Sequence, residues 1–250
     1  MNMVTAVDVA NAAKTLATHF PLTTASFTAG KLYEAWMMLE VGLTLRRKGW
    51  QADWIDTSPV RPSSMIFRGA PGSLTPRGRI RPGYLHLSRG RHDLEMHNSL
   101  QYRGMSGSLH EVDISVLAAD EANECRRANN SPVGLPYVGL ELKHYSGDLS
   151  IGLTRSMLMA TTDLALLWSN RQMAGRLTHQ APGKTFTSMG NIDGSISYVF
   201  TTAENVGASE RVAPFYGTAI ASRVRMPAGH VPGHHPEIDG LCDQINAMFP

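Results

Sequence analysis

Three charged side chains fall in two apolar segments of the sequence, at spacings that could form a metal site. Asp113 opens the apolar part of HEVDISVL, and in VGLELKHY the residues Glu141 and Lys143 flank Leu142. Because side chains alternate along a strand, Glu141 and Lys143 share one face while Leu142 points to the other. Two carboxylates from adjacent strands can hold Mg²⁺ through oxygen ligands, and a lysine beside them can orient water or offset phosphate charge.

The surrounding segments predict the elements that must position these side chains. Helical spacing of apolar residues predicts a helix at 5–18 and a second one at 30–50 with Thr28 as its N-cap. Alternating or apolar runs predict strands, and residues 120–135 predict a polar link between two of them. The remaining predicted elements are strands at 92–104, 108–119 and 136–147, a helix at 152–174, a strand at 194–203 and a last helix at 209–223. Strands bunched between helices predict an α/β fold with a mixed sheet flanked by helices.

With these residues and this element order, the chain resembles the PD-(D/E)xK nuclease superfamily, which has the restriction-endonuclease-like fold. Asp113 matches the motif's Asp, Glu141-Leu142-Lys143 matches its ExK, and Val112 stands where the motif has Pro. The family core is an α-β-β-β-α-β arrangement, and the predicted elements follow that order. The resemblance covers roughly residues 28 to 205 through element order and motif placement rather than identity.

The resemblance implies a Mg²⁺-dependent phosphodiester hydrolase, with Mn²⁺ as a substitute and DNA as the expected substrate. Asp113 and Glu141 would ligate the metal, the Leu142 backbone carbonyl would complete the site, and Lys143 would position or activate water. Family members often carry a glutamate on the helix before the sheet, and Glu34 matches that place as an outer or second-metal ligand. Such domains often act as the nuclease subunit of a defence, repair or transposition assembly, and a homodimer or larger assembly fits this expectation.

An arginine-rich stretch between Thr57 and His92 is a separate signal for nucleic acid. It contains no Asp or Glu and seven arginines. Without them, the 23 basic residues fall to 16 against 21 acidic ones, so a net charge of +2 becomes −5. A flexible basic loop beside a carboxylate site suits a polyanionic backbone, because carboxylates alone repel phosphate. The residues predicted to bind nucleic acid are Arg68, Arg77, Arg79, Arg81, Arg89 and Arg91.

The same residues leave alternatives open. Asp113, Glu141 and Lys143 could lie on the solvated face of a two-sided sheet, and Glu34 could be a charge on a helix surface. Glu111 could assist the metal or be solvated. The arginine stretch could be a surface loop or a patch for an acidic protein. One alternative function is a non-catalytic nucleic-acid-binding subunit that keeps the fold and uses the arginine stretch. Another is an interaction module unrelated to nucleic acid.

Composition sets the outer limits of these hypotheses. The 250 residues are 42% hydrophobic and 18% charged, which predicts one globular domain over 1–250 with its core at about 28–225. Around that core we predict an N-terminal helix within 1–20, an arginine-rich insertion at 57–92 and an irregular tail at 226–250. Two distant cysteines exclude a disulfide framework, and the first residues lack a basic region typical of a signal peptide. We therefore expect a cytoplasmic protein with no membrane partner.

Overall fold

The computed structural model describes residues 4–16, 28–59, 65–79, 81–145, 147–173, 186–188, 191–192 and 195–250. The helices are α1 (Ala6–Leu16), α2 (Ala29–Arg47), α3 (Ala119–Ala128), α4 (Ile151–Met173), α5 (Ser209–Phe215) and α6 (Pro236–Met248). The strands are β1 (Gln51–Ile55), β2 (Tyr84–Arg89), β3 (His92–Arg103), β4 (Leu109–Ala118), β5 (Val138–Lys143), β6 (Phe186–Ser188), β7 (Asn191–Ile192), β8 (Ile196–Thr201) and β9 (Thr218–Ala221).

Seven of these strands form one mixed sheet in the order β1-β2-β3-β4-β5-β8-β9. Strands β1 to β5 are antiparallel to their neighbours, whereas β8 pairs in parallel with both β5 and β9. The short strands β6 and β7 form a separate antiparallel pair. The expected α/β class, with a mixed sheet flanked by helices, is confirmed.

Helix α2 is apolar on nearly every side, and it lies at the centre of the fold, where these sides are buried. The Thr28 side chain accepts a hydrogen bond from the Lys31 backbone N–H, which caps the helix as predicted. Every residue from Tyr33 to Leu45 is buried. One side of the helix packs on the sheet, and α1 and α6 cover other sides. A helix that is buried all round is held firmly, so the side chains near its N-terminus have fixed positions against the sheet.

The two longest strands, β3 and β4, change faces midway along their length. Met96 packs in the cluster that contains α2, but Leu100 packs in a second cluster with residues from α3 and α4. In a regular strand these two residues would share a face, because their positions differ by an even number. The change falls at Ser99, whose φ of 46° lies in the left-handed region. In β4, Val112 and Ile114 separate into the same two clusters, so the change there falls at Asp113.

The region before β3 is more ordered than the sequence indicates. The sequence pattern does not predict strand β1, and β2 lies within the arginine-rich stretch that is expected to be a flexible loop. Helix α3 replaces the predicted polar link, and its last turn ends at Asn129, which adopts a left-handed conformation. The polar residues of this segment favour a link, but Ala122 of α3 is buried against the sheet.

The prediction of an irregular tail at 226–250 is wrong, because α6 occupies most of it. Pro236 suits the first turn of the helix, and the buried Ile238, Leu241 and Ile245 recur at helical spacing. The predicted last helix at 209–223 is only half right: α5 ends beside Pro214 and Gly217, and β9 follows as an edge strand of the main sheet. None of the helices in the described residues has the length and apolar continuity that crossing a bilayer requires.

Replacing Thr28 with Ala tests whether this cap holds α2 in place. We expect the free energy of unfolding to fall by about 1 kcal/mol, because the Lys31 N–H loses its acceptor. Urea denaturation of wild type, Thr28→Ala and Thr28→Ser measures it, and the serine variant keeps the hydroxyl and most of the stability. Identical urea midpoints for wild type and the alanine variant would contradict the assignment of the cap.

Candidate functional site

The two carboxylates of the motif lie side by side on neighbouring strands. The paired part of β4 and β5 ends with Ile114 beside Leu140, and Asp113 and Glu141 are the next residues of the two strands beyond that pair. Asp113 Oδ2 accepts a hydrogen bond of 2.7 Å from the backbone N–H of Leu142. This bond fixes the Asp113 carboxylate at the end of the β4–β5 ladder, next to the ExK segment.

Lys143 completes the motif as an ion-pair partner of both carboxylates. Its Nζ binds Glu141 Oε1 and lies 3.7 Å from Asp113 Oδ2. Burial disfavours the ammonium, but the negative charges of Glu141 and Asp113 outweigh burial and raise the pKa of Lys143. Lys143 therefore carries a stable positive charge beside two carboxylates.

Glu34 reaches the same region from the first part of α2. Lys31 Nζ lies 2.8 Å and 2.7 Å from the two carboxylate oxygens of Glu34, and the Ser99 hydroxyl donates to Glu34 Oε2 at 3.1 Å. Burial raises the pKa of Glu34, the hydrogen bond from Lys31 lowers it, and the negative charge of Asp113 raises it again, so that the net shift is upward. The helix glutamate thus belongs to the same electrostatic cluster as Asp113.

Lys31 and Ser99 take part in this cluster although the sequence did not single them out. Lys31 Nζ also contacts Ser99 Oγ at 2.7 Å and lies 4.0 Å from Glu111 Oε1. Ser99 is fully buried, and its left-handed φ is a strained backbone state for a residue with a side chain. The only sequence signal was the i, i+3 spacing of Lys31 and Glu34, which is common on helix surfaces. Nothing local in the sequence marks the conformation of Ser99.

Glu141 is buried beside other carboxylates, and both conditions disfavour its ionised form. Burial, followed by the negative charge of Asp113, raises the pKa of Glu141 to about 7, although Lys143 acts in the opposite direction. Glu111 adds a further negative charge near Glu141. A carboxyl group with such a pKa is only partly ionised at neutral pH, and an additional cation would favour its ionised form.

A cavity of about 230 Å³ opens beside these carboxylates, between the sheet and α4. Glu111 and Glu141 line it together with His110, and most of its remaining lining is apolar. Apolar cavities that contain a few polar groups and side chains with shifted pKa values are typical ligand or active sites. Glu141 is thus accessible from this cavity, whose lining does not include Asp113 or Lys143.

The carboxylates do not already form a closed metal site. Across the described ranges, no group of three or more His, Cys, Asp or Glu side chains has an arrangement that could hold a metal ion. Lysine ammonium groups balance the carboxylate charge instead. Mg²⁺ commonly uses one or two protein carboxylates and keeps water and substrate phosphate in its other positions. The oxygen donors of Asp113, Glu141 and the Leu142 carbonyl fit that coordination chemistry.

Arg68 has an internal role, so the prediction that it binds nucleic acid is not kept. Its side chain is buried, with 5% exposure, and its guanidinium donates to the carbonyls of Asn98 at 3.1 Å and Ser73 at 3.3 Å. Burial lowers the pKa of Arg68 to about 10, so the group is still charged at neutral pH. It holds the arginine-rich segment against β3.

The other predicted arginines separate into two groups. Arg77 and Arg79 are exposed and Arg81 is half-buried, all before β2. Arg89 donates to Asn246 of α6 at 2.9 Å, and Arg91 is exposed in the β2–β3 turn. This turn is eight residues from Ser99, or roughly 25 Å along the strand. The second group therefore lies far from Asp113, and Arg61 of the same stretch lies outside the described residues.

The three histidines near the strands have partners within the fold. His97 is buried and binds Glu95 at 2.8 Å, and burial lowers the pKa of His97 to about 4. His110 binds Asp163 of α4 at 2.7 Å. His144 packs beside the Tyr33 ring. Each of the three histidines therefore has a structural contact within the fold.

Comparison with known proteins returns no relative. No protein-family model, no curated protein and no solved structure matches the chain. The class that the fold and the site define is therefore an α/β protein with a carboxylate–lysine cluster at one end of a β ladder.

The pKa of Glu141 predicts how protein stability changes with pH. The folded state keeps this carboxyl protonated up to about pH 7, whereas the unfolded chain loses the proton near its ordinary pKa of 4.5. Ionisation of Glu141 therefore disfavours folding progressively as the pH rises from about 4.5 to 7. We expect Glu141→Gln to gain stability relative to wild type over this interval, by up to about 3 kcal/mol.

Urea unfolding at pH 5 and pH 8, without divalent metal, measures this change. The matched control is Glu210→Gln, which removes an exposed glutamate of α5. Its difference from wild type in the free energy of unfolding should be nearly the same at both pH values. A difference between Glu141→Gln and wild type that is the same at both pH values would contradict the upward pKa shift.

Proposed function

We propose that this chain is a metal-dependent nuclease with a restriction-endonuclease-like core, which hydrolyses phosphodiester bonds of DNA. The proposal depends above all on the position of Asp113 and Glu141 at the end of the β4–β5 ladder, with Lys143 paired with Glu141 and 3.7 Å from the Asp113 carboxylate. The elements α2, β3, β4, β5, α4 and β8 follow one another in the α-β-β-β-α-β order of the PD-(D/E)xK core, with β1, β2, α3, β6 and β7 inserted between them, and this order supports the proposal further.

Mg²⁺ would be held by Asp113, Glu141 and the backbone carbonyl of Leu142, with Glu34 as an outer ligand. The cation, when bound, supplies Lewis-acid stabilisation of the charge on the reacting phosphate. Its fit is supported by the oxygen-only donors, and by the raised pKa values of Glu34 and Glu141, which burial causes first and the negative charge of Asp113 increases, because a nearby cation would favour the ionised carboxylates.

The protein's own groups would orient the reactants. Hydrolysis forms a bond from water oxygen to phosphorus and breaks one P–O bond, while negative charge accumulates on the phosphate oxygens. The Lys143 ammonium, held between Asp113 and Glu141, is suited to orient the water and to offset that charge. Ser99 and Lys31 keep Glu34 directed at the cluster.

Cleavage assays test the proposal directly. Plasmid, single-stranded DNA and RNA are incubated with Mg²⁺ or Mn²⁺ and either wild type, Lys143→Ala or Asp113→Asn. We expect wild type to cut DNA and each variant to lose at least about 100-fold in rate, the scale of losing one charge-stabilising group. Lys14→Ala and Glu210→Gln change exposed charges elsewhere and should cut like wild type.

Absence of cleavage of every substrate with either metal, or full activity of Lys143→Ala, would overturn the proposal. The alternative, a non-catalytic nucleic-acid-binding subunit with the same fold, predicts salt-sensitive binding of nucleic acid without cleavage. The exposed arginines of the first group, Arg77 and Arg79, are the observation that favours binding under either hypothesis.

Metal binding should also stabilise the fold. We expect millimolar Mn²⁺ to raise the Tm of wild type above pH 7, because a ligand that binds only the folded state stabilises it, by about 2.7 kcal/mol at a concentration of 100 Kd. Thermal melts of Asp113→Asn should show no such increase. An equal increase in wild type and Asp113→Asn would place the cation elsewhere.

A further inference from the structure

A second cavity, of about 520 Å³, lies between the arginine-rich segment and α3. Its lining includes Arg77, Arg81, Arg126 and the ring of Tyr84, and we call it the basic cavity. It is separate from the cavity beside Glu141, which is lined by other residues. Arg126 belongs to α3, so the basic cavity joins two segments that are far apart in the sequence.

Arg126 is held rigidly at the wall of the basic cavity. Its Nη1 donates to Glu95 Oε1 at 2.8 Å, and its Nη2 binds the other carboxylate oxygen of Glu95. The guanidinium carbon also lies 5.0 Å from the centre of the Tyr84 ring. Because Glu95 is almost fully buried, this two-point pair has a fixed geometry.

The charge of the basic cavity is not balanced. Glu95 offsets Arg126, but among the ion pairs of the described residues none joins a carboxylate to Arg77 or Arg81. Arg81 Nε donates to the Gly78 carbonyl at 3.0 Å, which fixes the side chain without neutralising it. Behind the wall, Arg68 is also charged. The cavity therefore has an excess of about two accessible positive charges.

We propose that the basic cavity binds a phosphomonoester group. Such a group carries about −1.5 to −2 charges at pH 7 and three acceptor oxygens, which matches two unpaired guanidinium groups beside a third, fixed one. An internal phosphodiester carries a single negative charge, so it balances the two positive charges of the basic cavity less well. The phosphate chemistry follows from the cavity alone. Its source, the phosphorylated end of a nucleic-acid strand, rests on the proposed nuclease function.

Binding of short oligonucleotides tests the site without requiring cleavage. Labelled single-stranded DNA octamers with a 5′-phosphate, a 3′-phosphate or hydroxyls at both ends are titrated with the full chain in EDTA at fixed ionic strength. Fluorescence anisotropy should give at least tenfold tighter binding for one phosphorylated end than for the hydroxyl-ended octamer. Equal affinities for all three octamers would overturn the proposal.

Matched variants assign the preference to the basic cavity. Arg77→Gln combined with Arg81→Gln should abolish the preference for the phosphorylated end. Arg155→Gln combined with Arg211→Gln removes the same charge from exposed positions of α4 and α5 and should leave the preference intact. Loss of the preference in the second pair would mean that overall charge, and not this cavity, is responsible.

Competition identifies the source of the phosphate. The competitors are a nucleoside 5′-monophosphate and inorganic phosphate. If either binds as tightly as the phosphorylated octamer, the cavity is a phosphate site, but the end of a nucleic-acid strand is not its specific ligand. Asp113→Asn should keep the end preference, because this residue lies outside the cavity. If that preference persists while wild type cleaves no substrate, the nuclease proposal fails and the phosphate site stands.

Discussion

Asp113 accepts a hydrogen bond from the backbone of Leu142, and this contact fixes two carboxylates side by side where β4 and β5 meet. The arrangement is electrostatically costly, as the pKa of Glu141 near 7 indicates. Lys143 reduces the cost from the same strand, and Lys31 does so from α2 through Glu34. Glu141 combines a raised pKa with a position in the lining of a cavity, a combination that is typical of functional sites.

The fold maintains this cluster through rigid elements rather than loops. Helix α2 is buried on nearly every side, and its N-terminal part carries Glu34 to the sheet. The sheet meets it at Ser99, where β3 changes faces with a strained φ of 46°. Because the apolar residues on both sides of Ser99 are tightly packed, the strain is sustained by the core. The same change of face in β4 falls at Asp113, so the backbone irregularity and the carboxylate cluster coincide.

The sequence contained enough local information for α2 and for the strands of the motif, but not for the contacts between them. Thr28 and the apolar spacing predicted α2, and alternation predicted the adjacent strands of Asp113 and Glu141. The role of Ser99 depends on a backbone conformation set by tertiary packing, and the burial of Arg68 depends on β3. Helix α6 had a helical apolar pattern, but the proline- and glycine-rich residues before it concealed that pattern.

The Asp113–Glu141 cluster is proposed to hold a divalent cation, and a crystal structure after soaking in Mg²⁺ tests this most directly. We expect an ion about 2.0–2.1 Å from an oxygen of Asp113, an oxygen of Glu141 and the Leu142 carbonyl, with the ion pair between Lys143 and Glu141 opened. Crystals soaked at saturating Mg²⁺ that keep this ion pair and contain no ion between the two carboxylates would contradict it.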